Sequence, residues 1–242
     1  DFAERAKNFI PVELDGDSPE GQKLGARFKV RGYPTMILFR PDGTEITRLP
    51  GEVDPERYLQ VLSLGMAAER PVREILAAAT HGKELKPEEW KLLAYYAFET
   101  DEALGVSPDK LPDLLTKLAR AVPASEPALA TRLALKALSA KADQQPQPRL
   151  DGDAAAKLID KVLDSPADVR ANFELIVANP DRVLSLVTKP GAARQALAAK
   201  WDAALTGLSL NASLATTDRL SATGARIALA QAEGGKPPEA LL

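Results

Sequence analysis

The feature that most constrains the fold is a proline-containing turn that runs directly into a strongly apolar segment. The turn is Gly32-Tyr33-Pro34-Thr35, and the apolar residues after it are Met36-Ile37-Leu38-Phe39. X-Pro bonds adopt the cis form far more readily than other peptide bonds, and such prolines lie in specialised tight turns. Proline also lacks a backbone donor, which suits the start of a strand better than its middle. We therefore expect a turn at Pro34 and a buried strand from Thr35 to Phe39.

The residues that follow predict a β-hairpin. Arg40-Pro41-Asp42-Gly43 has the composition of a turn, with proline near its start and glycine at its end. Residues 44–49 then alternate polar and apolar side chains, which predicts an antiparallel partner strand with one face in water.

This motif, its order and its spacing resemble the C-terminal half of a thioredoxin domain. The resemblance rests on residues 30–35, the two strands with their Pro-Asp-Gly turn, and Leu49-Pro50-Gly51. It covers about residues 1–67 and implies a strand at Phe9–Leu14, a helix over 20–30 and a last helix opening at Asp54-Pro55. More narrowly, the chain is similar to exported bacterial thioredoxin-family proteins with a long helical C-terminal region. The implied fold class is α/β plus α: a partial thioredoxin-like fold of three strands, helices and a cis-proline, followed by an all-α multi-helix region.

The resemblance also implies which residues bind substrate. In the family the proline is cis and lies beside the redox disulfide, and the residue before it pairs its backbone with an extended substrate segment. Those positions correspond to Pro34 and Tyr33, while Gly32 leaves room for close backbone approach and Thr35 begins the strand. Main-chain pairing of this kind gives affinity, and side chains tune the choice of partner. The expected partner is a protein or peptide thiol or disulfide. Arg31 either places positive charge near that site or is a solvated loop residue.

The chain contains no cysteine. A thioredoxin domain works through Cys-x-x-Cys at the start of its first long helix, where the local field lowers a thiol pKa. Asp1 to Asn8 resembles the segment that follows this helix. We therefore expect the chain to be a piece of a longer protein whose redox cysteines lie N-terminal to Asp1. The fragment itself would have no catalytic residue and no redox activity. The alternative is a thioredoxin-like module that lost its redox half and keeps only a binding role.

Composition argues against several function classes. A net charge of −3 without a basic cluster gives no reason to expect nucleic-acid binding. No apolar run is long enough to predict a membrane span, and a single histidine, His81, precludes a histidine-rich metal cluster. Glu13, Asp15 and Asp17 are better explained by a turn and a helix cap than by a calcium site. No metal or cofactor is expected, the oligomeric state stays open, and a periplasmic location is implied by the resemblance alone.

Residues 68–242 are predicted to form a helical domain after the thioredoxin-like portion at residues 1–67. Alanine and leucine recur there at helical spacing, and prolines and glycines mark the boundaries. The polar, proline-bearing stretch near 144–150 is predicted to be a loop. We expect a helical array or an irregular bundle. The predicted helices cover 72–79, 87–97, 111–122, 126–143, 151–163, 166–177, 180–187, 192–205 and 218–233.

One predicted helix is unusually aromatic, with Trp90, Tyr95, Tyr96 and Phe98 close together. These side chains either pack against neighbouring elements or form a groove for a partner peptide. Trp201 is expected in the core. Two function hypotheses follow: thiol–disulfide exchange with upstream cysteines, or a non-catalytic module whose helical surface binds a protein. A third is a chaperone-like holdase that uses the aromatic surface.

Overall fold

The computed structural model describes residues 4, 7–50, 55–148, 150 and 153–234. The chain divides into two compact units, Asp1–Leu133 and Ala134–Leu242. The described part is mostly helical, with twelve α-helices and one two-stranded sheet. The domain boundary that we predict after residue 67 falls within the first unit and stays a prediction.

The first unit contains the sheet and the helices around it. Ser18 caps the first helix, because its hydroxyl accepts a hydrogen bond from the Gly21 amide at 3.0 Å. Two short 3₁₀ turns follow the fourth helix, at Phe98–Thr100 and Glu102–Leu104. The elements in chain order are α1 (Pro19–Arg27), β1 (Thr35–Phe39), β2 (Glu45–Pro50), α2 (Pro55–Met66), α3 (Val72–Thr80), α4 (Pro87–Tyr95), α5 (Leu111–Ala121) and α6 (Pro127–Ala142), which continues into the second unit.

Strands β1 and β2 form the predicted hairpin. They pair antiparallel, with Ile37 opposite Arg48 and Leu38 opposite Thr47. In the connecting turn Gly43 has a φ of +83°, a left-handed conformation that glycine adopts without steric cost. Its amide donates to the Arg40 carbonyl at 2.9 Å, which closes the turn.

The prediction that one face of β2 is exposed to water is wrong. Thr47 and Arg48 are both 0% exposed, as deeply buried as the apolar Ile46 and Leu49 beside them. Helices α2 and α4 contact β2, and the Ala97 amide donates to the Arg48 carbonyl at 3.1 Å. The alternation of polar and apolar residues in β2 therefore does not indicate an exposed face, because the chain after the hairpin folds back and covers the second face of the strand.

The strand expected at Phe9–Leu14 is not formed. Residues 10–15 have no regular secondary structure, and the side chains of Ile10, Val12 and Leu14 are 89%, 72% and 50% exposed. A β-strand is defined by hydrogen bonds to a neighbouring strand, and within the described ranges no strand pairs with residues 10–15. The sheet among the described residues therefore has two strands instead of the expected three.

The second unit is helical throughout its described residues. Its core gathers around Trp201, which is 0% exposed and donates its indole Nε1–H to the Ile176 carbonyl at 3.1 Å. Leu184, Leu205 and Ala222 are buried to the same degree, so the expectation that Trp201 lies in the core is confirmed. The elements are α7 (Ala154–Leu163), α8 (Pro166–Ala171), α9 (Phe173–Val177), α10 (Pro180–Val187), α11 (Ala192–Leu210) and α12 (Thr216–Ala232).

Several helix boundaries differ from the predicted ones. The helix expected over 166–177 is divided at Asn172, whose φ of −120° leaves the helical region and whose side-chain amide donates to the Asp168 carbonyl at 2.9 Å. Helix α4 ends two residues early because Tyr96 is extended, and α11 continues five residues past Leu205. The predicted helix starts at Asp54 and Asp151 lie outside the described residues.

Candidate functional site

The four predicted substrate-binding residues form one surface loop between α1 and β1. We call residues 30–35 the Tyr33 loop. Tyr33 is 56% exposed, Pro34 is exposed, and Gly32 and Thr35 are half-buried. The Tyr33–Pro34 peptide bond is cis. The Thr35 hydroxyl donates to the Gly32 carbonyl, which closes the turn at the first residue of β1.

The ring of Tyr33 lies against two glycines. A Cβ atom added at Gly16 would stand 3.1 Å from Cε1 and Cζ of the ring, and one added at Gly25 would stand 2.5 Å from the hydroxyl oxygen. A Cβ atom at Gly25 would clash with the ring hydroxyl, and one at Gly16 would make an unusually tight contact, so a larger residue at Gly25 would displace the ring and one at Gly16 would press against it. Two small residues from different segments thus seat a side chain that is still more than half exposed.

The main chain of Tyr33 is available for pairing. Neither its amide nor its carbonyl forms a hydrogen bond within the part of the chain that the structure describes. The preceding loop residues differ, because the Val30 amide donates to Gly25 at 2.9 Å and the Arg31 amide donates to Thr100 at 3.0 Å. An exposed, unpaired amide and carbonyl next to a strand are what an extended peptide needs to add to a sheet edge.

The segment just before the loop is held in a conformation that costs energy. Lys29 has a φ of +51°, unlike any other described non-glycine residue. A left-handed conformation costs an L-residue about 1–2 kcal/mol, so the surrounding contacts must offset that cost. The Lys29 carbonyl accepts hydrogen bonds from Arg48 Nη1 at 3.2 Å and from the Glu102 amide at 3.1 Å.

Arg48 is the centre of this support. Its guanidinium donates to the carbonyls of Phe28, Lys29 and Thr100. Its charge is matched by Glu45, at 2.7 Å from Nε, and by Asp101, at 3.4 Å from Nη1. Because a buried charge is costly unless it is paired and fully hydrogen-bonded, Arg48 fixes the positions of all these partners at once.

Asp101 completes the buried network from the other side. Its side chain is 0% exposed, and its oxygens accept hydrogen bonds from Arg73 at 3.0 and 3.1 Å, from the Tyr96 hydroxyl and from the Ala103 amide at 2.8 Å. Its backbone forms an antiparallel bridge with Val30. The α4–α5 connection, residues 96–104, is thereby joined to the start of the Tyr33 loop by both side chains and main chain.

The network shifts the pKa values of two of its members. Burial raises the pKa of the Tyr96 phenol well above its ordinary value, and the hydrogen bond to Asp101 raises it further. Burial by itself lowers the pKa of Arg73, but the neighbouring carboxylates of Glu45 and Asp101 outweigh it and leave the pKa raised. Tyr96 therefore stays a neutral donor and Arg73 stays a cation across the physiological range.

The other predicted residues have clear structural roles. Arg31 lies 3.7 Å from Glu102, in a loose and partly exposed ion pair. Asp15 accepts a hydrogen bond from the Asp17 amide at 2.9 Å in the turn before α1, and no group of side chains that could hold a metal ion occurs among the described residues. The aromatic side chains after Pro87 are all buried: Trp90, Tyr95, Tyr96 and Phe98. Packing is thus their role, and the alternative of an exposed peptide groove there is wrong.

The sequence interpretation missed Arg48, Asp101 and Arg73. Arg48 stands where the alternation of β2 predicts a solvated side chain, and nothing local to Asp101 or Arg73 marks them. The sequence indicates this network only through Glu45 and Arg48, two residues of opposite charge within one strand.

Comparisons with known proteins bear on the first part of the chain. Residues 2–65 match the family model of the thioredoxin-like domain. The thiol:disulfide interchange protein DsbD of Pseudomonas fluorescens is 37% identical over 54 residues. That alignment covers 22% of this chain and spans only 9% of the relative's length. No solved structure gives a significant match. Within the described ranges, no helix combines the length and apolar character needed to cross a bilayer.

Proposed function

We propose, because residues 2–65 match the family model of the thioredoxin-like domain, that this chain is the substrate-facing part of a thiol–disulfide exchange protein. Gly32, Tyr33, Pro34 and Thr35 would receive an extended segment of a protein or peptide that carries a thiol or a disulfide. The similarity to a relative named for thiol:disulfide interchange supports this reaction class. The family's exported members support a periplasmic location.

The observation that carries the proposal is the main chain of Tyr33, which forms no hydrogen bond with any residue that the structure describes. Its ring lies against Gly16 and Gly25, and the residue as a whole is 56% exposed. An incoming segment would exchange hydrogen bonds with the Tyr33 amide and carbonyl, and the exposed part of the ring would contact one of its side chains. Because main-chain bonds do not depend on sequence, such a site would accept many peptides.

The chemical step needs thiols that this chain does not contain. A thiolate attacks one sulfur of the substrate disulfide, a mixed disulfide forms and the other sulfur leaves as a thiolate. A second thiol then attacks the mixed disulfide and releases the reduced substrate, while the two protein sulfurs become oxidised. We propose that both cysteines lie N-terminal to Asp1 in the parent polypeptide, so that the chain alone has no redox activity.

The absence of cysteine from 242 residues also favours a second candidate. In this alternative the thioredoxin-like part keeps the Tyr33 loop for binding, and no exchange takes place. A holdase that uses the aromatic surface is not supported, because those side chains are buried.

The two candidates are separated by the thiols of the natural polypeptide. We would isolate it from its source, determine its N-terminal sequence and intact mass, and count alkylated cysteines before and after reduction. Two thiols upstream of Asp1 that react only after reduction are the expected result. A parent polypeptide without cysteine would end the exchange hypothesis and leave the binding module.

Peptide binding at the loop can be tested on the chain itself by hydrogen exchange. A short extended peptide with a central alkylated cysteine is the probe. We expect it to slow exchange of the Tyr33 amide by about tenfold or more. The Tyr33→Ala variant should show the same protection at position 33, because the bond is to the main chain. Unchanged exchange in the wild-type chain at saturating peptide would contradict the proposed site.

A further inference from the structure

We propose that Asp101 is the positioning residue of the Tyr33 loop, so that the helical part of the chain controls peptide binding at that loop. This inference rests on the proposed function, since it concerns the affinity of the same site. It assigns a role to residues that lie beyond the family match, which ends at residue 65. The α4–α5 connection would thus be a component of the binding site without touching the peptide.

The Tyr33 loop obtains its support from the α4–α5 connection. The Arg31 amide donates to Thr100 and the Glu102 amide donates to Lys29, at 3.0 and 3.1 Å. These two bonds form a short antiparallel bridge centred on Val30 and Asp101. The chain on the N-terminal side of Tyr33 is therefore paired with the α4–α5 connection, while Tyr33 itself is left unpaired.

The α4–α5 connection is itself held at Asp101. The Asp101 carboxylate accepts four hydrogen bonds from described residues, two from Arg73 and one each from Tyr96 and the Ala103 amide. Hydrogen bonds to a buried charge are the strong ones, and each comes from the helical part of the chain. Asp101 is thus fixed from one side by its own segment and presents its charge to Arg48 on the other.

The charges of the network are balanced. It holds two guanidinium groups, the buried Arg48 and the partly exposed Arg73, and two carboxylates, Glu45 and Asp101. Removal of the Asp101 charge leaves two cations for one carboxylate. Arg48 then keeps only Glu45 as an ionic partner, so its hydrogen bonds to the carbonyls of Lys29 and Thr100 weaken, and the left-handed Lys29 loses part of its restraint.

The test compares Asp101→Asn with the matched variant Glu89→Gln. Glu89 is also a carboxylate of the first unit, 12% exposed and paired with Arg70 at 2.6 Å, but among the described residues it bonds only to Arg70 and the Lys86 amide, away from the loop and its supports. Both changes replace a carboxylate by an amide of nearly equal size. Amide exchange is measured at Arg31 and Glu102, with the buried Leu93 as an internal reference, and peptide affinity is measured with the probe described above.

We expect Asp101→Asn to speed exchange at Arg31 and Glu102 by about tenfold to a hundredfold relative to Leu93, and to weaken peptide binding by about tenfold. Glu89→Gln should leave both quantities unchanged. Equal acceleration at all three amides would show that Asp101 contributes only to global stability and would overturn the inference. Faster exchange at the bridge with unchanged peptide affinity would overturn it as well.

A charge-balanced variant covers the case in which Asp101→Asn does not fold. Asp101→Asn combined with Arg73→Gln leaves Arg48 and Glu45 as a neutral pair and still removes the carboxylate from the bridge. It is expected to give the same weakened binding. Failure of the wild-type chain to bind the probe would refute the proposed function, whereas equal binding by wild type and variant would refute this inference alone.

Discussion

Burial and a hydrogen bond both act on the pKa of Tyr96 in the same direction. Its ring is 0% exposed, and its hydroxyl donates to Asp101. Burial first, and then that hydrogen bond, raise the pKa of Tyr96 above its ordinary value, which is about 10 in an unfolded chain. The folded chain thus holds this proton more tightly than the unfolded chain. The resulting stabilisation is complete below about pH 10 and is lost as the pH rises toward the folded-state pKa.

The Tyr96→Phe variant isolates that contribution. Between pH 8 and pH 11 we expect the free energy of unfolding of the wild-type chain to fall by about 1.4 kcal/mol more than that of the variant. Urea unfolding at the two pH values gives the difference, and other titrating groups cancel because both proteins share them. Parallel losses in wild type and variant would contradict the assignment.

The residues of the candidate site differ in whether the neighbouring sequence indicates their role. Tyr33 and Pro34 belong to a contiguous motif, so the sequence alone singles them out. Asp101 acquires its role only when the chain returns to the hairpin after three further α-helices. The sequence around Asp101 does not predict that contact, because it shows only an acidic residue between short turns. The sequence around Arg48 does not predict its contacts either, because the strand pattern predicts a solvent-exposed side chain there.

At the scale of elements, two helical glycines give opposite expectations. A Cβ added at Gly65 in α2 would lie 2.9 Å from Leu38 Cδ2 and 3.1 Å from Thr47 Cγ2, because the helix packs closely on the sheet. A Cβ added at Gly207 in α11 would meet no atom within 4 Å. Alanine gains helix propensity at both positions, but it overpacks the interface only at Gly65.

Gly207→Ala should therefore raise the free energy of unfolding by about 0.5–1 kcal/mol. Gly65→Ala should lower it by about 1 kcal/mol, since the cost of displacing Thr47 exceeds the propensity gain. Denaturant unfolding of both variants gives the two signs. A stabilising Gly65→Ala would mean that the sheet and the helix relax apart without loss.

Helix starts could be predicted from the sequence where a residue of restricted backbone geometry marks them. Proline in the first turn marks α4, α8 and α10, and the predicted starts of those three helices are the observed ones. The strand at Phe9–Leu14 could not be judged in this way, because a strand depends on a partner elsewhere. The division at Asn172 was equally hidden, since it follows from a side-chain bond to Asp168.

At the scale of the whole molecule, each compact unit contains one of the two tryptophans. Trp90 is 4% exposed in the first unit and Trp201 is 0% exposed in the second. Single-tryptophan variants made with Trp90→Phe or Trp201→Phe would report the unfolding of each unit separately.

In these backgrounds Leu184→Ala is the informative change. Leu184 is 0% exposed in the second unit, so its truncation should cost that unit about 2–5 kcal/mol. We expect the denaturation midpoint reported by Trp201 to fall by more than the midpoint reported by Trp90. Equal shifts of the two fluorescence signals would mean that both units unfold in one cooperative step.

The conformation of the Tyr33 loop should depend little on ionic strength. The side chains of Arg48 and Asp101 are 1% and 0% exposed, so dissolved ions cannot come between them. The Lys86–Glu69 pair, at 60% and 76% exposure, should fade as the Debye length shrinks to about 3 Å in molar salt. A loop oriented by charges that the solvent cannot screen would present the same edge to its partner in dilute and in concentrated media.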